Sequence, residues 1–144
     1  MANIADDITE LVGNTPLLRL HKFEKEAGFE GKILAKLEVF NPTGSVKDRI
    51  AKNMIEQAER DGRLKPGGTI IEATSGNTGI GLAAIAAAKG YQAIIVMPDS
   101  MSKERIRILE AYGAKVVLTP GEKNMGGANE KAAEILEQTE NAII

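Results

Sequence analysis

Cysteine and tryptophan are both missing from this 144-residue sequence, and histidine occurs only once, at His21. Without cysteine the chain can form neither a disulfide nor a thiolate-ligated metal site. A single histidine leaves no second imidazole for a histidine pair on a metal ion. We therefore predict no metal site, and we interpret His21, which lies in a polar segment, as a solvated surface residue.

Long apolar runs and a strong excess of one charge are missing as well. The most apolar stretch, residues 80–88, is far too short to span a bilayer, and the acidic start does not resemble a secretory signal. A formal net charge of −2 gives no general affinity for nucleic acid or for an anionic membrane surface. We expect a soluble, cytoplasmic protein whose partners include neither nucleic acid nor membrane.

What the sequence contains is the composition of a globular domain, with 43% hydrophobic and 26% charged residues. Apolar runs rich in β-branched residues alternate with helical patterns. The predicted strands and helices fall at residues 69–74, 78–89, 92–97, 102–112, 115–119 and 128–138. Three β-α units in succession predict an α/β fold, in which a parallel sheet with right-handed crossovers carries helices on both faces.

The amino-terminal part of the chain is less regular. Short apolar runs at residues 15–20 and 32–38 are predicted strands, and they have no obvious place in the later sheet. Proline and glycine interrupt the pattern near residues 40–44. We therefore predict two parts: residues 1–44, which pack on a larger domain, and residues 45–144, which form a small α/β domain.

The first loop that could carry chemistry is Asn41–Arg49, with the sequence Asn-Pro-Thr-Gly-Ser-Val-Lys-Asp-Arg. It leads into a helical pattern at residues 48–60. Ile50, Met54 and Ala58 lie four residues apart in this pattern, and we predict that they form the buried face of the helix.

Lys47 falls in the first turn of that helix, which Thr43 or Ser45 is able to cap. The helix macrodipole disfavours a cation there by roughly 0.3–1 kcal/mol. A neutral lysine amine is the nucleophile that attacks an aldehyde, so Lys47 is a candidate for covalent catalysis. The alternative is an ordinary solvated lysine with Asp48 as its counter-charge.

The second loop, Glu72–Gly81, joins the end of a predicted strand to the start of a predicted helix, where open α/β sheets bind ligands. Backbone N–H groups at such a helix start attract anions, and the side chains of the loop add directed hydrogen bonds. The glycine spacing matches neither a dinucleotide fingerprint nor a Walker loop, so a carboxylate is as good a candidate as a phosphate. The alternative is a tight turn whose polar groups are satisfied.

Together the two loops resemble the lysine motif and the substrate loop of the cysteine synthase family, pyridoxal-phosphate (PLP) enzymes grouped with cystathionine β-synthase and threonine dehydratase. Residues 11–17 resemble the opening segment of that family, and residues 97–105 resemble a later signature. The likeness covers essentially the whole chain, although Ala73 stands where proline is commoner. The resemblance implies the small domain of the tryptophan synthase β-like PLP fold.

The resemblance also implies a reaction and a role for each residue of the loops. The family replaces the acetate of O-acetylserine by sulfide, which gives cysteine. Lys47 would bind PLP covalently and later move the α-proton, and Asn77 would hydrogen-bond the 3′-oxygen of the cofactor. The carboxylate of the amino-acid substrate would be held by Thr74, Ser75, Gly76, Asn77 and Thr78.

The family's phosphate-binding loop, of the type Gly-Thr-Gly-Gly-Thr, is not reproduced by Gly121 or by Gly126 and Gly127. We therefore expect a truncated chain that binds PLP weakly or not at all and is inactive by itself. The apolar segments at residues 17–20 and 33–37 would then be left uncovered, which predicts a homo-oligomer. Serine acetyltransferase, which binds many relatives, is a further candidate partner.

Two other functions remain open at this point. A cystathionine β-synthase-like PLP enzyme would share both loops and differ in its nucleophile. A non-catalytic fragment would use only the turn at residues 75–81, and it would bind a small anion without any chemistry at Lys47.

Overall fold

The computed structural model describes residues 4–144, and its amino-terminal part holds a small antiparallel sheet. The two strands are β1 (Leu17–Arg19) and β2 (Leu34–Lys36), with the short helix α1 (His21–Glu26) between them. Both strands were predicted, and their separation from the later sheet is confirmed. The sequence pattern did not predict α1, which is only six residues long.

The rest of the chain follows the predicted alternation of strands and helices. In chain order the elements are α2 (Lys47–Arg60), β3 (Thr69–Ala73), α3 (Asn77–Lys89), β4 (Gln92–Pro98), α4 (Lys103–Ala111), β5 (Lys115–Thr119), α5 (Asn124–Glu137) and β6 (Ala142–Ile143). The four strands form one parallel sheet in the order β5-β4-β3-β6. The predicted α/β class is therefore confirmed.

Helices cover both faces of this sheet, because successive side chains of a strand point to opposite sides. Ile70 of β3 and Ile95 of β4 belong to a buried cluster with residues of α2, α3 and α4. Ile71 and Val96, their neighbours along the two strands, pack on the opposite side against Ala132 of α5. The larger part of the core thus lies on the side with three helices.

Helix α3 packs closely on α2 because small residues line its inner face. A Cβ added to Gly81 would lie only 3.2 Å from the Cβ of Ala51. Helix α3 ends where the sequence predicts, at Gly90, whose left-handed φ of 75° suits a residue without a Cβ. The other small residues buried along it are Gly79, Ala83, Ala84 and Ala86.

The prediction of the buried face of α2 was wrong at two positions, because the buried residues lie one position later in sequence than the predicted Ile50 and Met54. Ile50 and Met54 are 41% and 38% exposed, whereas Ala51 and Ile55 are fully buried. The small side chain of Ala51 allows α3 to approach. The buried positions of α2 therefore include small alanines, whereas the larger apolar side chains of Ile50 and Met54 are exposed. Of the residues predicted to be buried, Ala58 is correct.

Three further details differ from the sequence-based expectations. Residues 122–127, which precede the predicted helix at 128–138, are already helical, because a short 3-10 helix at Gly121–Lys123 leads directly into α5. Strand β6 was not predicted, since it has only two residues and depends on β3 for its pairing. The strand β4 includes Pro98, which pairs with Thr119 of β5 instead of ending the strand before it.

The amino-terminal part presents large apolar side chains to solvent, as expected for residues 17–20 and 33–37. Leu17, Leu18 and Leu34 are each at least half exposed, and so are Phe23 and Phe40. A cluster of this kind marks a surface that is normally covered. Homo-oligomerisation and packing on a larger domain stay predictions.

Candidate active site

A tight turn and a serine side chain position Lys47. Gly44 donates its backbone N–H to the carbonyl of Asn41 at 2.8 Å, and its φ of +80° is one that side chains rarely adopt. The Ser45 hydroxyl then accepts the backbone N–H of Lys47 at 3.2 Å, which confirms Ser45 as a capping group. Lys47 is the first residue of α2 and is half-buried.

Asp48, the next residue, is fully buried and ties the turn to the helix. Its carboxylate accepts the backbone N–H of Thr43 at 2.7 Å and also the Thr43 hydroxyl. Among the ion pairs of the described residues, none joins Asp48 to Lys47. The carboxylate therefore acts as a structural acceptor rather than as the counter-charge of Lys47.

A second carboxylate, Glu38, holds the loop from the amino-terminal side. Arg49 donates from Nε to Glu38 Oε2 at 2.8 Å and from Nη2 to Oε1 at 3.0 Å, and the Thr15 hydroxyl adds a bond of 2.7 Å. The hydrogen bonds from Arg49, and then those from Thr15 and Asn41, lower the pKa of Glu38 to about 2. Thr15 and Arg49 lie 23 and 11 residues from Glu38 in sequence, and no local pattern revealed them.

Asn41 completes this network from a buried position. Its Oδ1 accepts the backbone N–H of Gly13 at 2.9 Å, and its Nδ2 donates to the Glu38 carbonyl at 2.8 Å. Gly13 has a φ of +94°, and a Cβ there would lie 3.0 Å from Nη1 of Arg49. The start of the lysine loop is thus fixed to a segment about thirty residues earlier in the chain.

The second loop leaves several polar groups free. Thr74 donates its N–H to the Val96 carbonyl at 3.0 Å, and Gly76 makes only a long bond of 3.4 Å to Thr74 Oγ1. No side chain caps α3. Within residues 4–144, the backbone N–H groups of Ser75, Asn77 and Thr78 donate to no protein acceptor. Free donors at a helix start form an anion site, whereas the alternative of a satisfied turn does not fit.

The structure brings the two loops to one end of the molecule. Gly81 lies about one helical turn after Asn77, and a Cβ on Gly81 would be 3.3 Å from the carbonyl oxygen of Lys47. Helices α2 and α3 therefore pack side by side at their first turns. The backbones of Lys47 and Asn77 therefore lie at the same end of this helix pair.

Arg105 reaches the second loop, and sequence reasoning missed this contact. Its Nη1 donates to the carbonyl oxygen of Ser75 at 2.8 Å. Arg105 itself is exposed on α4. The only signal was its place in the signature at residues 97–105, which indicates no role.

An apolar cavity of about 230 Å³ is lined by residues of α2, β3 and α3. Ile55, Ile70 and Leu82 line it, together with the half-buried Glu72, whose pKa is raised by burial. None of the predicted site residues lines this cavity. The presence of a cavity therefore does not by itself identify the candidate site. Over the described part of the chain, the structure shows no cluster of three or more potential metal ligands and no helix long and apolar enough to cross a membrane.

Comparison of the chain with known proteins shows the family to which it belongs. The family described as pyridoxal-phosphate dependent enzymes matches residues 8–144. The chain therefore belongs to this family of PLP-dependent enzymes. Within the family, a probable cysteine synthase of Bacillus subtilis (strain 168) is 57% identical over 144 residues, which are 100% of this chain and 46% of that protein. The resemblance to cysteine synthases is confirmed.

Other relatives agree on the fold. A cysteine synthase structure from Entamoeba histolytica superimposes with a TM-score of 0.92 at 46% identity, over 98% of this chain and 43% of that one. Cystathionine beta-synthase of Mus musculus is 60% identical over 117 residues, which are 81% of this chain and 21% of that protein. The chain spans less than half the length of these relatives.

Proposed function

We propose that this chain provides the lysine and carboxylate-binding part of a cysteine synthase, which replaces the acetate of O-acetylserine by sulfide. The observation that carries the proposal is the packing of α2 on α3 at their first turns, which brings Lys47 to the end of the molecule where the second loop has free donors. An amine and an anion site side by side are what a PLP enzyme needs to bind an amino acid.

The residues present fit the aldehyde end of PLP. Lys47 is half-buried. Hydrogen bonds made by Ser45, Asp48 and Thr43 hold the backbone that carries its side chain in place. Lys47 would hold the cofactor covalently and carry the α-proton on Nζ, and the amide of Asn77 would bond to the 3′-oxygen. PLP, when bound, supplies the electron sink for bond cleavage at the α-carbon.

The free donors of the second loop fit the substrate carboxylate. The N–H groups of Ser75, Asn77 and Thr78 have no protein acceptor in residues 4–144, and the N–H of Gly76 is held only by a long bond. The hydroxyls of Thr74, Ser75 and Thr78 can add charge-assisted hydrogen bonds. Orientation of the amino acid would come from these contacts, and proton transfer from Lys47.

The phosphate end of PLP has no matching residues among the 144. A Gly-Thr-Gly-Gly-Thr type loop is not present in the sequence, so we propose that the chain alone binds PLP weakly and turns over no substrate. We also propose that residues 1–44 pack on a larger domain and that 45–144 form the small one. A homo-oligomer, cytoplasmic location and serine acetyltransferase binding complete the proposal.

Reduction of the chain with PLP and borohydride, followed by peptide mapping, tests the assignment of Lys47. The expected result is a cofactor adduct on Lys47 well above that on any other lysine, and its loss in the Lys47→Ala variant. Lys52→Ala is the matched control, because Lys52 lies on the same helix and donates to the Thr9 carbonyl at 2.9 Å. Equal labelling of all exposed lysines would leave only the non-catalytic anion-binding fragment.

A cystathionine β-synthase-like reaction is the second candidate, favoured by the 60% identity to the mouse enzyme. Both reactions would use Lys47 and the second loop. The nucleophile that the enzyme accepts therefore distinguishes the two candidates. Mixing the chain with the carboxyl-terminal half of the Bacillus subtilis relative and assaying sulfide against homocysteine makes the distinction. Cysteine as the preferred product supports the first proposal, and cystathionine supports the second.

A further inference from the structure

The peptide group between Ser75 and Gly76 lies in the middle of the open loop and has little local support. Gly76 adopts φ −126° and ψ −162°, and a Cβ there would touch nothing within 4 Å. Glycine is the residue whose backbone has the greatest freedom to rotate. The 3.4 Å contact of its N–H with Thr74 Oγ1 is at the long limit of a hydrogen bond. Something outside the loop has to fix this peptide plane.

Arg105 is the one described side chain that bonds to this peptide group from outside the loop. Its Nη1 donates to the Ser75 carbonyl oxygen at 2.8 Å. The carbonyl and the N–H of a trans peptide point in opposite directions, so a donor on the Ser75 oxygen also fixes the direction of the Gly76 N–H. The contact therefore reaches the anion site through the backbone.

The position of α4 explains how Arg105 arrives there. Strand β4 lies next to β3, with Val96 opposite Ala73, so both strands end at the same edge of the sheet. Helix α4 starts just beyond β4, and the Ser102 hydroxyl caps it by accepting the N–H of Arg105 at 3.5 Å. The first turn of α4 is thus placed beside the second loop.

The guanidinium has donors to spare for a ligand. Arginine carries five N–H donors, and only the bond from Nη1 is made within residues 4–144. Its charge adds to the positive end of the α3 dipole, which favours an anion at the loop. Arg107, two residues further along α4, is also exposed, and its side chain makes no hydrogen bond within residues 4–144.

We infer that Arg105 is a positioning residue of the carboxylate site. Through the Ser75 carbonyl it orients the Gly76 N–H, and its charge raises the affinity of the loop for the carboxylate of an amino acid. This inference rests on the proposed function, since it assigns a part to a residue beside the carboxylate that the proposal places there.

Amide order parameters and a carboxylate titration of the 144-residue chain test it together. In Arg105→Gln the order parameter of the Gly76 N–H falls from a rigid value of about 0.85 to below about 0.6, while that of Ile95 in the core stays unchanged. Affinity for O-acetyl-L-serine, followed by the amide shifts of Gly76 and Asn77, falls about five- to tenfold. Arg105→Lys, which keeps a donor and the charge, recovers a large part of both effects.

Arg107→Gln is the matched control, and it leaves the order parameter and the affinity at their wild-type values. A wild-type order parameter at Gly76 in Arg105→Gln overturns the inference, whether or not a ligand binds. A wild-type chain whose second loop shows no response to O-acetyl-L-serine argues instead against the proposed carboxylate site. The two failures are therefore distinguishable.

Discussion

The lysine loop and the second loop lie side by side, and their polar groups are used in opposite ways. Around Lys47, the polar groups of Thr43, Asp48 and Arg49 all have protein partners, several of them buried. Around Asn77, three backbone N–H groups have none within the described chain, and no side chain caps the helix. One loop is held by polar contacts, and the other leaves its donors free.

The difference follows from what each loop would have to do. A residue that forms a covalent bond needs a fixed backbone, because small displacements of the reacting atom are costly. A loop that binds an anion has to leave its donors without protein acceptors, because a satisfied donor has nothing to offer. Substitutions in the first loop should therefore reduce stability, and those in the second should mainly affect ligand binding.

The largest effect on stability is expected from Asp48→Ala. The change leaves the backbone N–H and the hydroxyl of Thr43 without their buried acceptor, at a cost of about 3 kcal/mol of unfolding free energy. Urea unfolding measures this loss. Asp61→Ala, at the exposed end of the same helix, is the control and should leave stability close to wild type. An equal loss in both variants would contradict the special role of Asp48.

Gly81→Val should come next, because it separates the two loops. The new side chain meets the carbonyl of Lys47 at 3.3 Å and the Cβ of Ala51 at 3.2 Å. We expect a loss of about 1–3 kcal/mol in unfolding free energy, as is typical for overpacking. Borohydride labelling of Lys47 should fall as well. Gly126→Val, where a Cβ touches nothing within 4 Å, is the control for the intrinsic cost of valine in a helix.

The pH dependence of stability should single out Glu38. Its pKa is lowered from 4.5 to about 2 in the folded protein, chiefly by hydrogen bonds from Arg49. The stabilisation is therefore fully present above the unfolded pKa and is lost as the pH falls through the folded one. Glu38→Gln should be less stable than wild type near neutral pH, and the gap should close toward pH 2 in urea titrations. A gap that is independent of pH would contradict the network.

The smallest effects are expected from two substitutions that each remove one hydroxyl, one in the lysine loop and one in the second loop. Thr43→Val removes a donor to the buried carboxylate of Asp48 and should cost about 1 kcal/mol of stability. Ser75→Ala removes a hydroxyl with no protein partner among residues 4–144, so thermal unfolding should not change. Its affinity for O-acetyl-L-serine should fall instead. The reverse pattern would contradict the comparison.

Local patterns predicted the β-α units and both loops, because hydrophobic periodicity and turn residues are properties of neighbouring positions in the sequence. The same patterns could not predict β6, whose two residues depend on pairing with β3. They also favoured Ile50 and Met54 over Ala51 as the buried face of α2, since hydrophobicity does not reveal where a neighbouring helix needs a small residue.

The parts of the site that depend on distant partners were missed for a related reason. Glu38 bonds to Thr15 on one side and to Arg49 on the other, across 23 and 11 residues of sequence. Arg105 reaches Ser75 across 30 residues. Such contacts exist only after the helices have packed. The sequence therefore led to a prediction of the residues that would touch a ligand, but it did not reveal the residues that hold the two loops in place.

The most direct test of the central claim, that both loops line one pocket, uses PLP fixed on Lys47 by borohydride. Amide shifts of the reduced chain are compared with those of the unlabelled chain in nitrogen–proton correlation spectra. We predict that the amides of residues 75–78 shift, although they lie about thirty residues from the labelled lysine. Shifts confined to the first turns of α2, with the second loop unchanged, would contradict the account.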